Sequence, residues 1–70
     1  MGLFEDILAR HDGDKVAAGI EVAFGLMRGD PAHHKAGYTA ANAVLAVRDL
    51  YHLSDQEVGR VAATVNPAGV

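Results

Sequence analysis

The chain has 70 residues, half of them hydrophobic, and a formal net charge of −3 at pH 7. This length suffices for one domain with one core, because a much smaller unit buries too little apolar surface to offset its chain entropy. The negative charge disfavours binding to nucleic acid or anionic lipid through overall electrostatics. The sequence contains no cysteine, which excludes disulfides and thiolate chemistry and favours the cytoplasm.

No stretch of the sequence has the features of a membrane or export segment. The longest apolar stretch, residues 16–27, is interrupted by Glu21 and is shorter than the ~20 residues that span a bilayer. The first residues lack a basic region, and Asp6 stands where a myristoylation signal has Ser or Thr. We therefore expect no transmembrane segment, export signal or lipid anchor.

Apolar residues recur with helical spacing near the start of the chain, at Leu3, Phe4, Ile7 and Leu8. Acidic residues in the first turn and basic residues in the last suit the two ends of the helix dipole. Gly13 can adopt the positive φ that commonly ends a helix, and Asp14 is a suitable N-cap for the next one. The pattern predicts a first helix that ends near His11.

A second helix is predicted from about Lys15 to Arg28. Its apolar residues cover a face of roughly 200° at the helical period, and they are Val16, Gly19, Ile20, Val22, Ala23, Phe24, Leu26 and Met27. Such a wide face predicts a central, mostly buried helix. Gly19 and Ala23 lie four residues apart, where small side chains allow a neighbouring helix to approach closely.

Asp30-Pro31 predicts the start of a third helix, because a capping carboxylate precedes a proline at the first helical position. Gly37 predicts a kink or break, since glycine disfavours helix interiors, and Thr39 is a suitable cap for a fresh helix that runs to about His52. The predicted inner face comprises Ala40, Ala43, Val44, Ala46, Val47, Leu50 and Tyr51. This amphipathic pattern places the polar residues of the segment on its outer side.

The last helix has the clearest start. Ser54 and Glu57 form a capping box, and Leu53 with Val58 forms the hydrophobic staple that accompanies it. An apolar stripe follows at Val58, Val61, Ala62 and Val65, and Asn66-Pro67 ends the helix. All the elements together predict an all-α fold, a compact bundle of four or five short helices in a single domain over residues 1–70.

No pattern in the sequence is typical of a catalytic, metal or cofactor site. The histidines lack metal-ligand spacing: on one continuous helix His34 and His52 would lie ~27 Å apart, although a break near Gly37 would bring them closer. The carboxylates coincide with helix starts and turns, and the glycines are isolated. We therefore expect no enzyme activity, no metal or other cofactor, and no small-molecule substrate.

One apolar residue stands on the outer side of the third segment, where its neighbours are polar. Leu45 lies there with Ala41, Arg48 and His52, and Tyr38 falls on the same line. Single exposed apolar residues are normal on protein surfaces, so an ordinary surface is one interpretation. The other is a seam for another subunit or protein, because self-association would add burial to a thin core. The predicted partner-binding residues are Tyr38, Leu45, Arg48 and His52.

Residues 53–67 resemble the first helix and turn of a helix-turn-helix, with a capped entry and small residues at Gly59 and Ala63. The segment departs from that pattern, since the turn lacks its usual glycine and the sequence ends before a recognition helix. Arg60 is the only basic residue of the last helix. Dimerisation could still assemble a basic patch, to which we assign Arg10, Lys15, Lys35 and Arg48.

These features together favour a small helical protein-interaction module, homo-oligomeric and cytoplasmic, whose partner is another protein or a second copy. The alternative is a DNA-binding transcriptional regulator, and nucleic acid is the less favoured partner. The composition, rich in Ala, Val, Arg and Asp with lysine only at positions 15 and 35, is typical of a GC-rich genome such as that of an actinobacterium or one of its phages.

Overall fold

The computed structural model describes residues 2–28 and 38–67 and has four helices in this part of the chain. They are α1 (Leu3–Arg10), α2 (Lys15–Arg28), α3 (Ala40–Tyr51) and α4 (Asp55–Val65). The described residues contain no strand, so the predicted all-α fold is confirmed. The predicted helix start at Asp30-Pro31, the break at Gly37 and the residues His33, His34 and Lys35 lie outside the described ranges.

Side-chain caps fix the starts of α2 and α3, as the sequence predicted. The Asp14 Oδ1 atom accepts hydrogen bonds from the backbone N–H groups of Val16 at 3.0 Å and Ala17 at 3.2 Å. Thr39 Oγ1 accepts from the N–H of Asn42 at 3.1 Å. These bonds satisfy N–H groups that have no partner within their own helix. The fresh helix predicted after Thr39 is therefore confirmed.

The turn between α3 and α4 consists of His52, Leu53 and Ser54. The Ser54 hydroxyl accepts from the N–H of Glu57 at 3.2 Å, and the Glu57 carboxylate accepts from the N–H of Ser54 at 2.8 Å. Leu53 is buried, and Val58 packs against the core. The predicted capping box is confirmed, and both staple residues are directed inward.

Contacts at both ends and in the middle of α2 define the direction of α3. At the start of α2, Lys15 Nζ donates to the His52 carbonyl oxygen at 3.5 Å. In the middle, Gly19 lies against Val47. Near the end, the Leu26 carbonyl oxygen accepts a hydrogen bond of 3.3 Å from the N–H of Tyr38. Residues later in α2 meet residues earlier in α3. The two helices therefore run antiparallel.

The fourth helix runs in the same direction as α2. Lys15 Nζ lies 3.8 Å from a carboxylate oxygen of Glu57, which is in the first turn of α4. One turn further along each helix, Gly19 faces Val61. Because the residue numbers of α2 and α4 rise together along these contacts, the two helices are parallel. Gly19 therefore faces both α3 and α4.

The first helix packs against α2 and is also tied to the end of α3. Ile7 is buried, and the Tyr51 hydroxyl donates a hydrogen bond of 2.7 Å to the carbonyl oxygen of Phe4. The turn after α1 has positive φ at Asp12 (56°) and Gly13 (81°), so the helix ends where Gly13 predicted.

All the buried side chains of the core among the described residues are apolar. They are Ile7, Val16, Ala18, Val22, Ala23, Leu26, Ala43, Val44, Val47, Tyr51, Leu53, Val61 and Val65. The second helix contributes more of them than any other helix and contacts all three. The prediction of a central α2 is confirmed.

The predicted inner faces of α2 and α3 were wrong at particular residues. Phe24, assigned to the inner face, is 37% exposed, whereas the small residues Ala18 and Gly25 are buried. The buried side of α2 is thus turned toward its small residues, where other helices can approach. On α3, Leu50 lies at the edge of the buried arc and is 36% exposed.

Candidate interaction surface on the third helix

The outer side of α3 carries one line of exposed residues. Ala41, Leu45 and Arg48 follow each other at intervals of four and three residues and share a face of α3, and the exposed His52 follows at the C-cap of the helix. We call these four residues the α3 stripe. Leu45 is 46% exposed, more than any other large apolar side chain in the described residues. Three of the four predicted partner-binding residues are therefore exposed, Leu45 and Arg48 on one face of α3 and His52 at its C-cap.

The fourth predicted residue, Tyr38, does not join the α3 stripe. It is partly buried and packs against the core, and its N–H donates to Leu26. The reason is that Tyr38 precedes the N-cap Thr39, whose backbone is extended with φ −70° and ψ 159°. The helical spacing used to predict its position does not apply across an extended residue. The outward assignment of Tyr38 is corrected accordingly.

Polar side chains lie within the α3 stripe and beside it. The Arg48 guanidinium lies 3.2 Å from Asp49 Oδ1, and the two side chains are 46% and 75% exposed. Asn42 is also exposed, and its backbone N–H is bound by Thr39. A pair between adjacent exposed residues contributes little stability, so it leaves both groups available to a partner.

The last residue of the α3 stripe has a left-handed backbone. His52 is the C-cap of α3, with φ 54° and ψ 51°, and its N–H donates to the carbonyl oxygen of Arg48. Glycine is the usual residue in this conformation, because a Cβ atom makes it less favourable. The carbonyl group of His52 is directed toward Lys15, while its side chain remains exposed.

Three more large apolar side chains are exposed, and sequence reasoning did not identify them as surface residues. They are Leu3 (41%), Phe24 (37%) and Leu50 (36%). Leu50 lies five residues from Leu45, about 140° around the helix, so it is on another side of α3. A signal for the exposure of Phe24 was present in the small residues Ala18 and Gly25, which lie about 100–120° around α2 from it and are buried.

Two members of the predicted basic patch are engaged inside the fold. Arg10 Nη2 lies 2.6 Å from Glu21 Oε2, and Lys15 pairs with Glu57. Lys35 lies outside the described residues. Among the three described members, Arg48 stands on an exposed face and is paired with Asp49, its neighbour on the same helix. The described residues do not assemble the predicted patch within one copy.

The carboxylates with the clearest pKa shifts are structural groups. A hydrogen bond from His11, whose Nε2 lies 2.9 Å from Oε1, lowers the pKa of Glu21, and the Arg10 guanidinium lowers it further. The Ser54 backbone N–H lowers the pKa of the Glu57 carboxyl. Both carboxylates join elements of the fold, Glu21 with Arg10 and His11 and Glu57 with Lys15.

Within residues 2–28 and 38–67 no group of three or more histidine, aspartate or glutamate side chains is arranged to hold a metal ion. No helix in these ranges combines the length and apolar character needed to cross a membrane. Comparisons with protein-family models, curated proteins and solved structures found no match to this chain. The surface of the small all-α bundle is therefore the basis for a functional proposal.

Proposed function

We propose that this chain is a small helical protein-interaction module that associates with a second copy of itself through the α3 stripe. The observation that carries the proposal is the exposure of Leu45 on an otherwise polar helix face, beside the small residue Ala41. An apolar centre with a polar rim is the usual arrangement of an interface, and Leu45 with its polar neighbours has this arrangement on a small scale.

The energetics of a small domain support the same proposal. Most of the buried residues of α2 and α4 are Ala, Gly or Val, so each removes little apolar area from water. Chains of this size gain stability from disulfides, metals or oligomerisation, and the sequence excludes disulfides. Burial of Leu45 against a second copy would add apolar contact without any change in the core.

The proposal predicts that Leu45→Glu weakens association and leaves the fold intact, because Leu45 is outside the buried core. Ala63→Glu is the matched control, since it adds the same charge to the exposed side of α4. Light scattering across a range of concentrations should show a mass that rises with concentration for the wild type and the control, but not for Leu45→Glu. Helical circular dichroism should be the same for all three.

Equal association of the wild type and Leu45→Glu would contradict the role of the α3 stripe. A wild type that stays monomeric at millimolar concentration would contradict the proposed function.

A mobility-shift assay with duplex DNA tests the less favoured alternative, and we expect no shift at low salt. A shift abolished by charge reversal at Arg48 and Arg60 would instead favour the DNA-binding regulator.

The proposal places the module in the cytoplasm. Its support is the cysteine-free composition, which is typical of proteins in a reducing compartment and of chains that do not depend on disulfides.

A further inference from the structure

The first helix buries less of itself than the other three. Ile7 is its one buried residue, and every other core residue in the described ranges belongs to α2, α3, α4 or the turn residue Leu53. Each of α2, α3 and α4 packs against the other two, whereas α1 packs mainly against α2. If α1 moved away, the core formed by the other three helices would therefore lose a single side chain.

The start of α2 is built without α1. The Asp14 side chain caps α2 through bonds to N–H groups of its first turn. The end of α1 closes on itself, since the N–H of Gly13 donates to the Leu8 carbonyl oxygen at 3.0 Å, and the N–H of Asp14 donates to His11 across the boundary. When α1 moves, α2 keeps its cap, so residues 13 and 14 have the properties of a hinge.

Polar contacts hold both ends of α1 against other helices. Near its start, the Tyr51 hydroxyl of α3 donates a hydrogen bond of 2.7 Å to the Phe4 carbonyl oxygen. At its end, Arg10 and His11 bind the Glu21 carboxylate of α2 at 2.6 Å and 2.9 Å. All of these groups are exposed or partly buried, so solvent competes with each contact and its net contribution to stability is modest.

We propose that α1 is a strap that opens as one unit about residues 13 and 14 while α2, α3 and α4 stay folded. With one buried side chain and solvent-accessible polar contacts, its detachment requires less free energy than unfolding of the core. A helix of eight residues is too short to persist in water by itself, so opening also melts α1. The open state uncovers the Tyr51 hydroxyl and the side of α2 that α1 covers.

Native-state hydrogen exchange of the complete chain tests this proposal, because a helical N–H exchanges only when its hydrogen bond opens. In the wild type, the N–H groups of residues 7–10 should exchange faster than the slowest N–H groups of α2. They should share one dependence on urea, shallower than that of α2, since opening of α1 exposes less surface. Equal rates and equal urea dependence in the two helices overturn the proposal. Exchange in α1 without any dependence on urea shows fraying residue by residue and overturns it too.

A stabilising substitution in α4 separates opening of the strap from unfolding of the whole chain. Gly59 lies inside α4, and a methyl group there would meet nothing within 4 Å. Gly59→Ala should therefore slow the slowest N–H groups of α2 about fivefold, through its better helix propensity. Because α4 stays folded when the strap opens, residues 7–10 should keep their wild-type exchange rates. Slowing of both sets by the same factor means that α1 opens only with the whole fold, and it overturns the proposal.

Tyr51→Phe changes the strap itself, because it removes the hydroxyl and keeps the ring. Residues 7–10 should exchange roughly 2- to 10-fold faster, all by one factor, although the hydroxyl meets only the start of α1. The slowest N–H groups of α2 should accelerate equally, since complete unfolding breaks the same bond. Asp49→Asn, on the exposed side of α3, is the control and should leave residues 7–10 unchanged. Acceleration confined to the residues nearest Phe4, or absent from α1, overturns opening as one unit.

Discussion

Gly19 is the residue of α2 that faces both α3 and α4. A methyl group added at Gly19 would lie 3.6 Å from Val47 Cγ2 and from Val61 Cγ2, which is ordinary van der Waals contact. Glycine disfavours a helix interior by about 1 kcal/mol relative to alanine. Gly19→Ala should therefore stabilise the fold by about 1 kcal/mol, measured by urea unfolding.

Gly59 provides the matched control for this prediction. It also lies inside a helix, but a methyl group at Gly59 would meet nothing within 4 Å. Gly59→Ala should thus report helix propensity alone, again about 1 kcal/mol. If Gly19→Ala destabilised the fold while Gly59→Ala stabilised it, α2 would approach α3 and α4 more closely than these distances allow.

Single residues also show where sequence reasoning succeeds. The caps Asp14, Thr39 and Ser54 were predictable, because a cap binds backbone groups two or three residues away and its signal is local. The exposure of Phe24 was not predictable in this way. Whether a residue at the edge of an apolar face is buried depends on where neighbouring helices lie, and here α3 and α4 approach α2 at Gly19.

At the scale of elements, the ends of α1 are attached by contacts that no periodicity shows. The Tyr51 hydroxyl meets the backbone of Phe4, 47 residues away in sequence. At the other end, Arg10 and His11 both bind Glu21 of α2. The order and bounds of the helices followed from local signals, whereas these tertiary bonds depend on how the helices pack.

The Glu21 carboxylate should make the free energy of unfolding depend on pH. Its pKa is lowered in the folded state by the His11 hydrogen bond and by Arg10, so the folded protein favours the ionised form. The contribution is complete above the unfolded pKa of about 4.3 and is lost as the pH falls through the lower folded value. The Arg10 side chain is 62% exposed and that of Glu21 is 37% exposed, so solvent weakens the pair and we expect at most ~1 kcal/mol.

Comparison with Glu21→Gln isolates this contribution, because the amide has nearly the same size and does not ionise. The free energy of unfolding of the wild type should exceed that of the variant at pH 7, and the difference should shrink as the pH falls below the unfolded pKa of about 4.3. A difference that stayed constant over this range, or grew as the pH fell, would show that the carboxylate charge does not hold α1 against α2.

At the scale of the whole molecule, the bundle combines a core of modest side chains with a surface that retains a branched apolar group at Leu45. Sequence reasoning could predict this combination, since Leu45 interrupts a polar face of α3. It could not place Tyr38, because the extended cap at Thr39 ends the helical register before that residue. Leu45, Arg48 and His52 are exposed as expected, whereas the position of Tyr38 depends on tertiary contacts.

Association and folding should be coupled in this molecule. A partner that binds only the folded state stabilises it in proportion to the logarithm of its concentration, and here the partner is the chain itself. The melting temperature of the wild type should therefore rise with protein concentration in the range where light scattering detects the dimer. Leu45→Glu should melt at one temperature across that range, equal to the value for the dilute wild type, because its core is unchanged. A wild-type melting temperature independent of concentration, in solutions that scatter as dimers, would show that the pairing forms equally well between unfolded chains.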